Sequence, residues 1–217
     1  MGVGTLRVVE PGVDRRTMHG STDPRKTAPA PATQHQSLNL LCVATLTPRK
    51  GHALLFEALG DLRERRWHLN CAGSLLRDPA HVGTLEHQID RLRLMNRVSL
   101  LGDLDNEALE REYERADVFV LASYLEGYGM ALAEAVAHGL PVISTTAGAI
   151  PETVPAAASV LVPPGDSRAL AAALASLMDD PARRSMLAAN ARTARASLPT
   201  WKSAAKKFAA ALDGVTA

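Results

Sequence analysis

From Leu38 onward the chain repeats one unit, a short continuous apolar run followed by an amphipathic segment. The runs are "LNLLCVA" (38–44), "WHLNCA" (67–72), "RVSLL" (97–101), "DVFVL" (117–121), "LPVIS" (140–144) and "ASVLV" (158–162). They do not alternate polar with apolar residues, so each reads as a strand covered on both faces, the pattern of a parallel sheet. Helical segments lie between them, near 51–65, 80–94, 105–115, 129–138 and 166–178, with Asp105 and Asp166 at N-cap positions. Strands alternating with helices through right-handed crossovers build a doubly wound α/β fold around a parallel six-stranded sheet. Two further helices, near 181–195 and 200–212, follow the last strand.

Residues 1–37 break this pattern. "LRVVEPGVD" (6–14) reads as one strand entering a Pro-Gly turn, and "RRTMHGSTDPRKTAPAPATQHQS" (15–37) as an extended linker. A strand and a linker do not make a domain, so the chain reads as beginning within a larger architecture.

Composition narrows the class. With 217 residues, 47% hydrophobic and 22% charged, the sequence suits a globular domain with a substantial core. A net charge of +1 creates no broad field for nucleic acid or an acidic membrane. The arginine clusters Arg63, Arg65, Arg66 and Arg91, Arg93, Arg97 are read as solvated faces of helical segments. Cys42 and Cys71 lie inside apolar runs and read as small buried hydrophobes of a reducing compartment, not as disulfide or metal ligands. No apolar run reaches the ~20 residues of a spanning helix, and "MGVGTLRVVE" lacks a signal-peptide core. The expected location is cytoplasmic.

Ligands of open α/β sheets bind where strands end and loops lead into helix N-termini. Three such loops carry unusual residues. In "TLTPRKGH" (45–52), Arg49 and Lys50 beside Gly51 put two cations at a helix start, a natural phosphate site, the bland alternative being a solvated basic turn, which weighs more for Arg49 than for Lys50. In "LEGYGMA" (125–131), Gly127 and Gly129 admit a ligand close to the backbone, and Glu126 precedes a helix that holds Glu134. Carboxylates repel phosphate but accept hydrogen bonds from vicinal hydroxyls such as those of sugars and ribose. Eight positions along a helix span ~12 Å. Two hydroxyl readers flanking a phosphate-binding helix start therefore describe a nucleotide-sugar. The bland alternative makes Glu134 a surface glutamate paired with His138 at i+4, and His138 a helix-surface residue. The third loop, "TTAGAIPETV" (145–154), with Gly148 and Pro151, forms a wall of the cleft or serves structure alone. No HExxH, GxSxG, Walker A or metal-spaced Cys/His set occurs, and a nicotinamide-dependent dehydrogenase fails for want of GxGxxG.

Taken together, "ATLTPRKGHALLFEAL", "RVSLLGDLDNEAL", "ADVFVLASYLEGYGMALAEAVAHGLPVIST", "AGAIPE" and "VLVPPGDSRALAAAL" resemble the C-terminal, donor-binding half of the GT-B retaining glycosyltransferases of family 4, or group 1. The resemblance runs from about Leu38 to Trp201, and its most specific part is the Glu-x7-Glu signature ending in Glu134. It implies a Rossmann-like α/β domain at 38–199, preceded at 1–37 by the last strand of a missing N-terminal domain and the interdomain linker. Residues 200–217 would be a C-terminal helix crossing back to that domain, with Trp201 at an orphaned interface.

The resemblance also assigns roles. Glu126 would contact the donor hexose, and Gly127, Tyr128 and Gly129 would bring backbone amides to sugar and phosphates. Glu134 would bind the ribose hydroxyls, Lys50 the leaving diphosphate, and Leu104 the base. The family's usual Gly-Arg is Ala44-Thr45 here, so the second diphosphate cation is missing unless Arg49 supplies it. The implied activity is hexosyl transfer from a nucleotide-diphosphate sugar to an unspecified acceptor, with no cofactor and no metal required. The acceptor-binding N-terminal domain is the implied partner, and any peripheral membrane contact would come only through that half. Nucleic acid is not expected as a partner. The isolated chain would be inactive, and the alternative reading is a non-catalytic nucleotide or nucleotide-sugar binding module.

Overall fold

The computed structural model describes residues 9–13 and 37–213. Among the described residues there are six strands: β1 (Leu38–Val43), β2 (Trp67–Ala72), β3 (Val98–Gly102), β4 (Val118–Leu121), β5 (Val142–Thr145) and β6 (Ser159–Val162). All are parallel and lie in the order β3-β2-β1-β4-β5-β6. The chain thus winds outward from β1 to β3, returns to β4 beside β1, and winds the other way. β4 and β5 are buried along their whole length, whereas the edge strands β3 and β6 are mostly half-buried. That difference is why the central runs are the purest Val, Ile, Leu and Phe segments.

The helices are α1 (His52–Gly60), α2 (Pro79–Arg91), α3 (Asn106–Arg115), α4 (Met130–Ala137), the single turn α5 (Ile150–Thr153), α6 (Ser167–Asp179), α7 (Pro181–Ala194) and α8 (Trp201–Asp213). Asp105 and Asp166 cap α3 and α6 by accepting from Ala108 N and Ala169 N, as their positions predict. Asp78 and Asp180 do the same for α2 and α7. Each cap satisfies a backbone donor left free at a helix start. The core joins both helical layers to the sheet, with Phe56, Leu55 and Leu59 of α1 and Phe119 of β4 fully buried. α1 packs against α6, and α4 against α7.

Several readings change in the fold. Arg63, Arg65 and Arg66 lie in the turn after α1, not on a helix, and Arg65 forms a two-pronged pair with Asp179 at the end of α6. Arg97 sits just before β3, over the Trp67 ring at 5.2 Å, and donates to the Arg65 carbonyl. Of the strand read at 6–14, residues 6–8 and 14 lie outside the described residues. Within 9–13 it is reduced to one bridge between Val13 and Thr200, with Val13 N donating to Pro199 O. Thr200 and Ser203 cap the start of α8 reciprocally. Trp201, Phe208 and Leu212 on α8 are all more than half exposed. Among the described residues no helix is long and apolar enough to cross a membrane.

Candidate functional site: the cleft between β1 and β4

Adjacent strands β1 and β4 send their following helices in opposite directions, so the loops after them diverge and open a crevice. Such switch points are where doubly wound sheets hold ligands. A cavity of about 470 Å³ occupies this position, lined among others by Thr45, Lys50, Gly73, Asp103, Glu126 and Gly129. A smaller cavity of about 160 Å³, near Asn70 and Glu112, lines the opposite ends of the central strands.

The loop after β1 tightens into a single 3-10 turn, Pro48–Lys50, closed by Gly51 at φ 71°. A Cβ at Gly51 would sit 2.0 Å from the Ala122 carbonyl oxygen, so only glycine lets this loop reach the end of β4. Tyr124 N then donates to Arg49 O at 2.9 Å, joining the loops after β1 and β4. Lys50 is carried to the carboxylate of Glu126, with Nζ 2.6 Å from Oε1. Ser123 Oγ donates to the same oxygen, also at 2.6 Å. Glu126 is buried, its side chain only 7% exposed, and this ion pair with an added hydroxyl is what makes that burial tolerable.

Glu126 is also held through its backbone. Its carbonyl accepts from Ala149 N at 3.0 Å, and Gly148 comes so close that a Cβ there would lie 2.2 Å from that oxygen. The loop after β5 is therefore the clasp behind Glu126 and not only a wall. Thr145 Oγ1 donates to Ser123 O from the same side.

Gly129 caps α4 without any side-chain acceptor, Leu132 N and Ala133 N turn back to Gly129 O, and the first two residues of α4, Met130 and Ala131, line the cavity. A helix start of this kind, with its dipole and N-terminal amides, favours an anion. Glu134 stands three residues beyond Ala131, on the same side of the helix. Its Oε2 accepts from Tyr113 Oη at 3.0 Å. Burial, and to a smaller extent the Glu110 charge, raise its pKa above the ordinary carboxylate value, against the pull of the Tyr113 hydroxyl. The Tyr113 pKa is raised too, chiefly by burial and then by the Glu134 charge.

His138 is neither the partner of Glu134 nor a surface residue. Its side chain is 8% exposed, it stacks on Tyr113 with ring centroids 4.6 Å apart, and its Nε2 lies 3.4 Å from Glu110 Oε2. The i+4 pairing loses because His138 is the residue that ends α4, and its ring packs inward against α3.

Of the residues read from sequence, Lys50, Glu126, Tyr128 and Gly129 line the cavity. Arg49 does not. Its guanidinium donates to Leu125 O at 2.5 Å and lies 3.8 Å from Glu126 Oε2, with half its side chain exposed. Leu104, Gly127 and Glu134 are outside the lining too, and Asp103, the neighbour of Leu104, faces the cavity instead. Gly127 has no protein atom within 4 Å of where a Cβ would stand, so its surroundings are open. Thr45 lines the cavity, so the position at which the resemblance implies an arginine faces the same space as Lys50. Sequence reasoning misses Tyr113, Ser123 and Asp103. Ser123, three residues before Glu126 at a strand end, carries a local signal; Tyr113, on the preceding helix, carries none.

The sequence profile of the family described as "Glycosyl transferases group 1" matches residues 25–194. The chain belongs to the group 1 glycosyltransferases. Among curated relatives, the amylovoran biosynthesis glycosyltransferase AmsK of Erwinia amylovora is 36% identical over 151 residues, 64% of this chain and 36% of that protein. Sucrose-phosphate synthase from Thermosynechococcus elongatus superposes with a TM-score of 0.85 at 28% identity, covering 99% of this chain and 53% of the synthase. Anabaena HepE, solved with UDP and glucose, has a TM-score of 0.82 at 24% identity, covering 95% of this chain and 56% of HepE. This group 1 glycosyltransferase sequence thus spans about half, or less, of the length of these relatives. Its fold is the Rossmann-like C-terminal half of a GT-B enzyme.

Proposed function

We propose that the β1–β4 cleft binds a nucleotide-diphosphate sugar as donor for retaining glycosyl transfer. The observation that carries this reading is the Lys50–Glu126 pair beside the uncapped start of α4. A cation and free amides suit a diphosphate, and the adjacent carboxylate suits hydroxyls. Lys50 binds the diphosphate and, with the α4 amides, stabilises the charge that grows on it as it leaves. In this reading Lys50 supplies the charge balance, and no metal or cofactor is required. Glu126 accepts from hexose hydroxyls, while Gly127, Tyr128 and Gly129 present backbone to sugar and phosphates. Glu134, kept in place by Tyr113, accepts from the ribose. The base rests toward Asp103 and Leu104.

In the reaction, the bond from the anomeric carbon to the phosphate oxygen breaks and its electron pair leaves with the diphosphate. The acceptor oxygen bonds to the anomeric carbon on the face the diphosphate vacates, and its proton passes to the departing phosphate oxygen. The acceptor and its binding domain lie outside this chain, which binds donor without efficient transfer when alone. HepE, of the same fold, holds UDP and glucose, which supports a nucleoside diphosphate as the common element.

Calorimetric titration of the chain with a panel of nucleoside diphosphates and their sugar conjugates tests the proposal. Saturable binding of one diphosphate, weakened in Lys50→Ala, is expected; no binding of any member of the panel would refute it.

A further inference from the structure

A second cluster of chemically capable side chains lies outside the cleft lining. Cys42 of β1 and Cys71 of β2 are register partners, so their side chains project side by side from the same face of the sheet. His52, the first residue of α1, lies over them with Nε2 3.7 Å from Cys42 Sγ. One ligand atom from each of the three falls within 4.8 Å of the other two. All three residues are at most 1% exposed, and both cysteines are free thiols.

The histidine is the informative member. Its Nδ1 is buried without a hydrogen-bond partner, and its other nitrogen meets only a sulfur. Burying an imidazole so poorly satisfied is unfavourable if packing alone is served, since an apolar side chain would pack there without that cost. A cation coordinated at Nε2 changes that balance at the nitrogen facing the sulfurs, replacing a weak thiol contact with a metal–nitrogen bond and leaving the proton on Nδ1.

We propose that Cys42, His52 and Cys71 form a site for one thiophilic divalent cation of the zinc class. Ligand chemistry and geometry agree with it. With metal–sulfur bonds of ~2.3 Å and metal–nitrogen bonds of ~2.0 Å, tetrahedral coordination sets neighbouring S and N atoms about 3.5 Å apart. The Cys42–His52 separation already matches this. Two thiolates and a neutral imidazole bring a charge of −2, so a divalent cation makes the buried cluster neutral. Three protein ligands leave one position for a small ligand, a Cys2His arrangement that zinc accepts. Harder cations, which prefer oxygen ligands, are disfavoured by this donor set.

The location gives the site a consequence. Cys42 and His52 flank the loop that carries Lys50, so a cation held by both pins that loop at its two ends. Cys71 then anchors the loop to the next strand.

The test is to reduce the full 217-residue chain, remove metal, and titrate it anaerobically with Zn(II) against a chromophoric chelator, then with Co(II) alone as a spectroscopic probe. The expected result is one equivalent of tightly bound Zn(II) and, for Co(II), a thiolate charge-transfer band with tetrahedral d–d absorption. Cys42→Ala and Cys71→Ala, each checked for native circular dichroism, should weaken Zn(II) binding by at least ~100-fold and remove the cobalt band. The cobalt spectrum of the unaltered chain decides the matter even where a variant fails to fold. Absence of stoichiometric metal from folded, reduced protein would overturn the proposal. So would zinc held only by surface histidines without the thiolate band, or affinity unchanged in the cysteine variants. Thiol counting that finds Cys42 and Cys71 crosslinked, in a chain that takes no metal after reduction, would overturn it in favour of a redox pair.

Discussion

Lys50 and Glu126, seventy-six positions apart, meet at 2.6 Å across the β1–β4 cleft. In the unliganded protein each neutralises the other. A donor diphosphate therefore competes with Glu126 for the ammonium, and a hexose competes with Lys50 for the carboxylate. Glu126→Gln should keep the Ser123 hydrogen bond but release Lys50. Affinity for a bare nucleoside diphosphate should hold or rise by up to ~10-fold, while preference for the sugar conjugate falls. Lys50→Ala should weaken both ligands by ~1.5–3 kcal/mol, roughly 10- to 150-fold. Calorimetry on the four protein–ligand pairs checks this; equal losses on both ligands in Glu126→Gln would rule out a hexose role.

The same pair has a signature in stability. Lys50→Met leaves a nearly buried carboxylate with Ser123 and the half-exposed Arg49 at 3.8 Å, so urea denaturation should show a loss of ~1–3 kcal/mol. Adding Glu126→Gln to it removes the orphaned charge and should recover most of that loss. A double variant no more stable than Lys50→Met would mean the two residues are not energetically coupled.

Glu134 makes the site pH-dependent. Its pKa in the folded protein lies above the ordinary 4.5, chiefly through burial. Ionising it therefore costs stability: the cost is absent below 4.5, grows between 4.5 and the raised value, and is complete above it. Glu134→Gln should gain stability relative to the unaltered protein as pH rises through that window, by an amount read from paired denaturation curves. Nucleotide affinity should be flat above the raised pKa and fall below it, and Glu134→Gln should flatten that profile. Identical binding profiles for the two proteins would remove Glu134 from the ribose site.

Tyr113→Phe tests the positioning of Glu134. The ring stack on His138 is retained, and the hydroxyl that reaches both the Glu134 carboxylate at 3.0 Å and the Ala131 carbonyl at 3.3 Å is lost. Nucleotide binding should weaken by ~0.5–1.5 kcal/mol, about 2- to 10-fold, and the pH at which affinity begins to fall should rise, since that hydrogen bond lowers the Glu134 pKa. A weaker affinity without any shift along the pH axis would point to packing instead.

Thr45 lines the cavity where relatives of this chain are expected to carry an arginine. Ala44→Gly with Thr45→Arg should tighten diphosphate binding by ~1.5–3 kcal/mol, the scale of a charge-assisted hydrogen bond. Unchanged affinity would show that Arg49 or the α4 amides already supply what the diphosphate needs.

Donor binding and transfer should separate. Supplying an acceptor-binding half, fused upstream, should turn a chain that binds donor into one that transfers, because holding both reactants together contributes up to ~7–11 kcal/mol. Efficient transfer by the 217-residue chain alone, assayed against a broad acceptor panel, would contradict this division.

By itself, the sequence determined the sheet, the helices and the family. Strand burial and helix periodicity are local patterns, and the runs at 38–44 and 117–121 read correctly because both faces of a central parallel strand must be apolar. Glycine spacing around Glu126 is legible for the same reason, since φ and close approach are demands on single residues. Tertiary structure decided the partnerships. Lys50 and Glu126 each read as ligand residues, but nothing in either loop says that they neutralise one another, and Arg49 turns to the Leu125 carbonyl instead of the cavity. Glu134 takes Tyr113 from the neighbouring helix in place of His138. Cys42, His52 and Cys71, spaced like no metal motif, converge only because β1 and β2 run in register beneath α1. Periodicity is written along the chain, whereas hydrogen bonds and ion pairs between distant segments depend on strand order and on which loops diverge, which exist only once the sheet has formed.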